Sequence, residues 1–339
     1  MNITKIEMST FVLEGVDVRS IVASHLKKHG YVDVSGDPRL RQVCCTRYGN
    51  CRLHQCLGEQ CLPVCLGHVL STQMHTSYMN GSDVFKHMET LCHISVYYPG
   101  AKKLSAYFSQ LLPPCLRLIS EEESERKSDV VKDVKRARDV AVRKRRIGAT
   151  LIHTMLLAGG CHRQALALCE SGAVPVLGRI LAGRQDAPWC PYKDKVLMVH
   201  LLHVILDSGN ERCWQCVKKI EKELTEVWKR HSQATPGDVR YKLHQAVGGL
   251  LSILRRGKTP SQPTKRRRHS YKQYFQFPVV CSSPGCSNIE TGSKFKMCAA
   301  CGLARYCSTE CQTHHWAHGH KPDCNAMVAF DKANGSPIL

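Results

Sequence analysis

The chain is short of aromatic residues and has no long apolar run. Phe, Trp and Tyr make up only 6% of its 339 residues. Nowhere does it approach the ~18 uninterrupted apolar residues of a membrane-spanning helix, so no membrane partner is expected. Met1–Val12 interleaves polar and apolar residues without the roughly 7–15-residue apolar core of a secretory leader, so no signal peptide is expected. Motifs that announce common enzymes are also missing: there is no Gly-x-Ser-x-Gly elbow, P-loop or Gly-x-Gly-x-x-Gly turn. His200 and His203 lie three apart in the apolar stretch Val196–Leu206, but without the glutamate of a His-Glu-x-x-His zinc protease. These absences favour a non-enzymatic protein, with those two histidines in packing roles.

Cysteine and positive charge are abundant instead: twenty cysteines and a formal net charge of +20. The length suits roughly two domains, each large enough to bury a core, unlike a small disulfide scaffold. An intracellular, reduced chain is expected, in which clustered cysteines are read first as metal ligands. The charge is concentrated. Between Arg126 and Arg146 lie Lys127, Lys132, Lys135, Arg136, Arg138, Arg143, Lys144 and Arg145. Arg255–Lys272 adds Arg255, Arg256, Lys258, Lys265, Arg266, Arg267, Arg268 and Lys272 without one acid. Such runs are solvated helix faces or linkers, and they also suit nonspecific nucleic-acid contact or nuclear import through Lys265–His269. Pro260-Ser261-Gln262-Pro263-Thr264 beside the second run cannot bury apolar surface, which places a basic linker at residues 257–276.

Upstream of that linker the pattern is helical over residues 84–256. Leu104, Tyr107, Phe108, Leu111 and Leu112 recur at helical steps until Pro113-Pro114 interrupts them. A second stripe, Ile147, Leu151, Ile152, Met155 and Leu156, closes at Gly159-Gly160. In Gln164–Leu181 a helix should stop at Ser171-Gly172 and another start with Pro175 in its first turn, where a missing N–H costs little. This junction resembles the turn between successive helices of an armadillo repeat. Only one junction has that signature, so the domain is armadillo-like or irregularly α-helical. Further helices are expected at Lys195–Leu206, Glu211–Arg230 and Val239–Arg255.

Residues 1–83 carry no clear periodicity and are set apart as a cysteine-rich region of uncertain fold. Cys44, Cys45, Cys51, Cys56, Cys61 and Cys65, followed by His68, are dense enough to raise a metal site, although their spacings match no known pattern. Cys213-Trp214-Gln215-Cys216 has the spacing of a redox pair or half a zinc site, but lies in an expected helix and reads as packing.

The strongest signal is C-terminal: Cys281-x4-Cys286-x11-Cys298-x2-Cys301-x5-Cys307-x3-Cys311-x8-His320-x3-Cys324. These thiolates and one imidazole suit two tetrahedral Zn²⁺ ions, each fully ligated and without an open position for a catalytic water. Together with Ala304-Arg305-Tyr306-Cys307-Ser308, Gln312 and Trp316, the pattern closely resembles the MYND zinc finger. The resemblance implies a cross-brace, in which Cys281, Cys286, Cys307 and Cys311 hold one ion and Cys298, Cys301, His320 and Cys324 the other. The first pair encloses Ser282-Ser283-Pro284-Gly285, where the family more often has two residues. His314, His315 and His318 read as surface groups. The finger is assigned to residues 277–326 and a tail to 327–339.

MYND fingers are interaction modules, several of which take short proline-rich peptides with leucine; by resemblance Gln312 and Trp316 would line the groove. Ala299 stands where some peptide-binding members carry Ser. The expectation is therefore a mostly α protein ending in a small two-zinc finger. It would act as a protein–protein interaction adaptor in transcriptional regulation or protein turnover, in the nucleus or cytoplasm. The alternatives are a basic nucleic-acid-associated protein and, with less support, a SET-type lysine methyltransferase or a ubiquitin ligase component.

Overall fold

The computed structural model describes residues 12–13, 16–17, 52–72, 82–120, 131–159, 162–183, 190–256, 279–286, 288, 290 and 293–334. Lys265–His269, the linker around it, and Cys44, Cys45 and Cys51 lie outside the described residues. Among the described residues no single helix is long and apolar enough to cross a membrane. The chain is mostly helical and closes with the finger. Contacts group it into two units, residues 1–107 with 272–339, and residues 108–271. This grouping differs from the boundaries expected at 83/84 and 276/277.

The first described element of the first unit is a short antiparallel pair, β1 (Val12–Leu13) and β2 (Val16–Asp17). Helix α1 (Arg52–Thr72) follows, inside the region whose fold could not be read from sequence. Leu62, Cys65, Leu66 and Val69 recur at helical steps and are buried, which gives α1 one apolar face. That face packs on α2 (Ser82–Val96), through Val84, Met88, Leu91 and Ile94. Helix α3 (Tyr98–Ser105) turns off α2 so tightly that a Cβ on Gly100 would lie 2.5 Å from the Ile94 carbonyl oxygen, so only glycine fits.

Residues 56, 61 and 65 thus sit on one continuous helix. Cys65 is fully buried in the α1 face and His68 stacks on His87 at 4.1 Å between ring centroids. Neither belongs to a metal-sized cluster among the described residues.

The second unit starts at α4 (Phe108–Ser120) and α5 (Val131–Gly159). Pro113-Pro114 does not interrupt α4, which runs through both prolines. The reason is tertiary: Leu111, Leu112, Cys115, Leu118 and Ile119 are buried as one face, and this packing outweighs local propensity. The break in the expected stripe falls earlier, at Ala106-Tyr107. Where α4 meets α5, a Cβ on Gly148 would lie 2.5 Å from the Cys115 carbonyl oxygen.

Helix α6 (His162–Glu170) ends at Ser171-Gly172, and α7 (Ala173–Ala182) begins with Pro175 in its first turn, as expected. Gly172 makes the turn at φ 76° and the two helices bend by 72°. Helix α8 (Tyr192–Asp207) is central: Met198, Val199, Leu201, Leu202, Ile205 and Leu206 are buried among α5, α7 and α11. The expected long helix at 211–230 is two, α9 (Glu211–Lys218) and α10 (Glu221–Arg230), because Ile220 turns inward and fills the space beside Gly178. Helix α11 (Val239–Arg255) completes the unit, capped by the Asp238 carboxylate, which accepts from the Arg240 N–H at 2.8 Å.

Candidate metal centre

Local turn chemistry brings each ligand pair together. In the first knuckle, Gly285 (φ 77°) lets the Cys286 N–H reach the Ser283 carbonyl at 3.1 Å, so the long Cys281–Cys286 spacing still closes. In the second, Gly302 (φ 70°) and the Cys298 N–H to Ala304 O bond of 2.9 Å fold Cys298 and Cys301 onto one turn. Strands β3 (Lys296–Met297) and β4 (Arg305–Tyr306) pair antiparallel around it. Ser308 caps α12 (Thr309–His315), accepting from the Cys311 N–H at 3.3 Å, so Cys311 in the first turn of the helix faces Cys307 just ahead of the cap. Beyond Trp316 the backbone kinks at Gly319 (φ 137°), which turns His320 inward before α13 (Lys321–Ala333) places Cys324. Helix α13 runs through much of the stretch set aside as a tail.

Two four-donor sets result. Cys281, Cys286, Cys307 and Cys311 converge with all ligand atoms within 4.8 Å of one another, as do Cys298, Cys301, His320 and Cys324. Zn–S bonds of about 2.3 Å in a tetrahedron put neighbouring sulfurs about 3.8 Å apart. The separations here are 3.7 Å for Cys286–Cys307, 3.6 Å for Cys307–Cys311 and 3.8 Å for Cys298–Cys324, with Cys301 Sγ 3.7 Å from His320 Nε2. The donors therefore fit zinc in size and in chemistry, and they interleave along the chain. The protein alone holds several of these thiols protonated. Burial pushes Cys281 up, and a hydrogen bond with Cys301 together with burial pushes Cys298 up to about 11. Zinc supplies the charge that displaces these protons when it binds, forming thiolates.

The surrounding histidines divide. His314 and His318 stack on the surface with centroids 4.2 Å apart. His315, expected at the surface, is buried instead: its Nδ1 pairs with the Tyr306 hydroxyl at 3.1 Å and its ring stacks on His320. Trp316 stands edge-on to His320 at 5.9 Å and remains 39% exposed, with Gln312 half-buried one helical turn before it.

Sequence reasoning missed the residues that hold the finger to the helices of its own unit. The Gln55 amide of α1 donates to Val280 O at 3.0 Å and Ser282 Oγ at 2.6 Å, and Ser282 donates to Glu59 Oε1 at 2.6 Å. Burial pushes the Glu59 carboxyl up, opposed by its bond from Ser282. Farther along, Lys103 and Tyr107 both bond Asp331 of α13, and the Tyr97 hydroxyl reaches Leu303 O at 3.4 Å. The only available signal was polar residues set within apolar helix faces.

Residues 281–324 match the MYND finger family. An F-box protein of Arabidopsis thaliana is 44% identical over 46 residues, which is 13% of this chain and 12% of that protein, so the likeness covers a small part of either. No solved structure matches the chain at comparable strength. MYND fingers are zinc-binding domains that generally mediate protein–protein interactions. The pairing of donors in space and the family match in sequence fall on the same eight residues, and the chain carries at 281–324 a MYND-type zinc finger with places for two zinc ions.

Proposed function

We propose that this protein is a non-enzymatic adaptor whose finger takes up short proline-rich peptide segments of other proteins. The observation that carries this reading is Trp316, a large aromatic ring left 39% exposed beside the second ligand set, with Gln312 one turn away on the same side of the helix. An extended proline-rich segment loses little entropy on binding and suits such an aromatic wall. Both ligand sets have four protein donors, which supports zinc as scaffold over zinc as catalyst. Import into the nucleus through Lys265–His269 belongs to the same proposal.

Nucleic-acid binding has weaker support. Within the first basic run, Arg145 is buried and Arg146 is paired with Asp194 at 2.8 Å, so part of that charge is committed inside the helical unit.

The test is fluorescence polarisation of labelled proline-rich, leucine-containing peptides on the full chain. Trp316→Ala is expected to weaken binding about 30-fold, the cost of a central aromatic anchor of about 2 kcal/mol, with zinc unchanged at two per chain. Equal binding by Trp316→Ala, or no binding by any peptide of such an array, would sink the proposal.

A further inference from the structure

All four ligands of the second set come from residues 298–324, yet one polar atom of that set has nothing to bond among the finger's described residues. With His320 Nε2 turned toward the Cys301 sulfur at 3.7 Å, the other ring nitrogen, Nδ1, is buried and has no hydrogen-bond partner among the described residues. Leaving such a group dry and unpaired is unfavourable, because it loses its bonds to water and gains none in return. A zinc-bound imidazole carries its proton on this second nitrogen, and metal-ligating histidines almost always donate it to a carboxylate, a carbonyl or water.

A carboxylate lies near the His320 ring, beyond hydrogen-bond distance of Nδ1. Glu59 of α1 is only 5% exposed, and Glu59, His315 and His320 each present a ligand-type atom within 4.8 Å of the others. Glu59 is held from the opposite side. Its Oε1 accepts from Ser282 Oγ at 2.6 Å and from Gln55 Nε2 at 3.2 Å, while Oε2 carries neither bond. His315 Nδ1 is already paired with the Tyr306 hydroxyl at 3.1 Å.

We propose that Glu59 is a positioning residue for the second zinc, accepting the His320 Nδ1 proton through Oε2 and so fixing the tautomer and orientation of that ligand. The finger's metal site is then completed from the N-terminal helix, by the same residue that bonds Ser282 from 223 positions away in sequence. Zinc retention and the docking of α1 on the finger become one property. A Gln side chain at position 59 keeps one of the two acceptor oxygens, whereas a Leu of similar size removes both.

The test is zinc release from the full chain to a colorimetric chelator, with cobalt substitution to tell the four-sulfur site from the three-sulfur, one-nitrogen site. Glu59→Leu should weaken retention at the second site about 10- to 100-fold and leave the first near wild type, with Glu59→Gln falling between Glu59→Leu and wild type. In ¹⁵N-histidine-labelled wild-type protein, the His320 Nδ1 proton should be visible and protected from solvent exchange, a readout that requires no variant. The assignment is overturned if Glu59→Leu releases both ions at wild-type rates or accelerates both equally. It is also overturned if the wild-type Nδ1 position is unprotonated or exchanges freely.

Discussion

Two Cys-x2-Cys pairs in this chain have the same spacing and opposite fates. Cys298 and Cys301 lie on a turn that Gly302 closes with a positive φ, and their sulfurs join a four-donor set. Cys213 and Cys216 lie on α9, where the intervening residues stay helical. Cys213 is fully buried, a hydrogen bond with Cys169 pulls its thiol down to about 7, and Cys216 Sγ sits 3.8 Å from the Cys169 carbonyl oxygen. Among the described residues this cluster does not form a metal-sized donor set. Spacing proposes a metal site; the backbone turn between the cysteines and the donors brought by other segments decide it.

The contrast extends to the regions around them. Among the described residues the finger buries few apolar side chains, whereas the helices between residues 108 and 256 bury many.

Metal removal should separate the two most strongly. Structural zinc contributes apparent free energies of ~10–16 kcal/mol in small finger peptides, so chelation is expected to abolish hydrogen-exchange protection across 281–333. Amides of α8 and α11 should stay protected. Joint loss of protection in both regions would erase the contrast.

The converse perturbation is a core truncation. Leu202 of α8 is fully buried, and Leu202→Ala should cost about 2–5 kcal/mol in denaturant unfolding of the helical unit. Elemental analysis should still find two zinc ions per chain; a loss of metal would tie the finger's stability to this core.

Acid provides a finer separation. His153, buried in α5, is held down to about 3, chiefly by burial and then by His200. Between about pH 3 and its ordinary pKa of about 6.5 the unfolded chain binds this proton and the folded one does not, so stability rises with pH across that window. Moving from pH 6.5 to 5 should cost the helical unit about 2 kcal/mol. Thermal melts of His153→Leu should show a correspondingly shallower pH slope, and an unchanged slope would remove this histidine from the account.

The eight ligands were legible because zinc demands particular donors at close spacing, and short knuckles write that demand into the sequence. The α6–α7 turn was legible for a similar reason, since Gly172 and Pro175 carry their own backbone preferences. The passage of α4 through Pro113-Pro114, the break at Ile220 and the burial of His315 were not. Each depends on what another segment places opposite: the buried α4 face against α5, the gap at Gly178, and the Tyr306 hydroxyl.

The sequence by itself determined that two metal sites exist, which residues are able to fill them, and that helices precede them, because these follow from donor chemistry, turn residues and apolar periodicity. Which four donors share an ion required either a family resemblance or the folded chain. That Gln55 and Glu59 of α1 hydrogen-bond the finger was decided only by tertiary structure. Hydrogen bonds across more than two hundred positions leave no local pattern; they exist only once apolar packing has brought the two segments together.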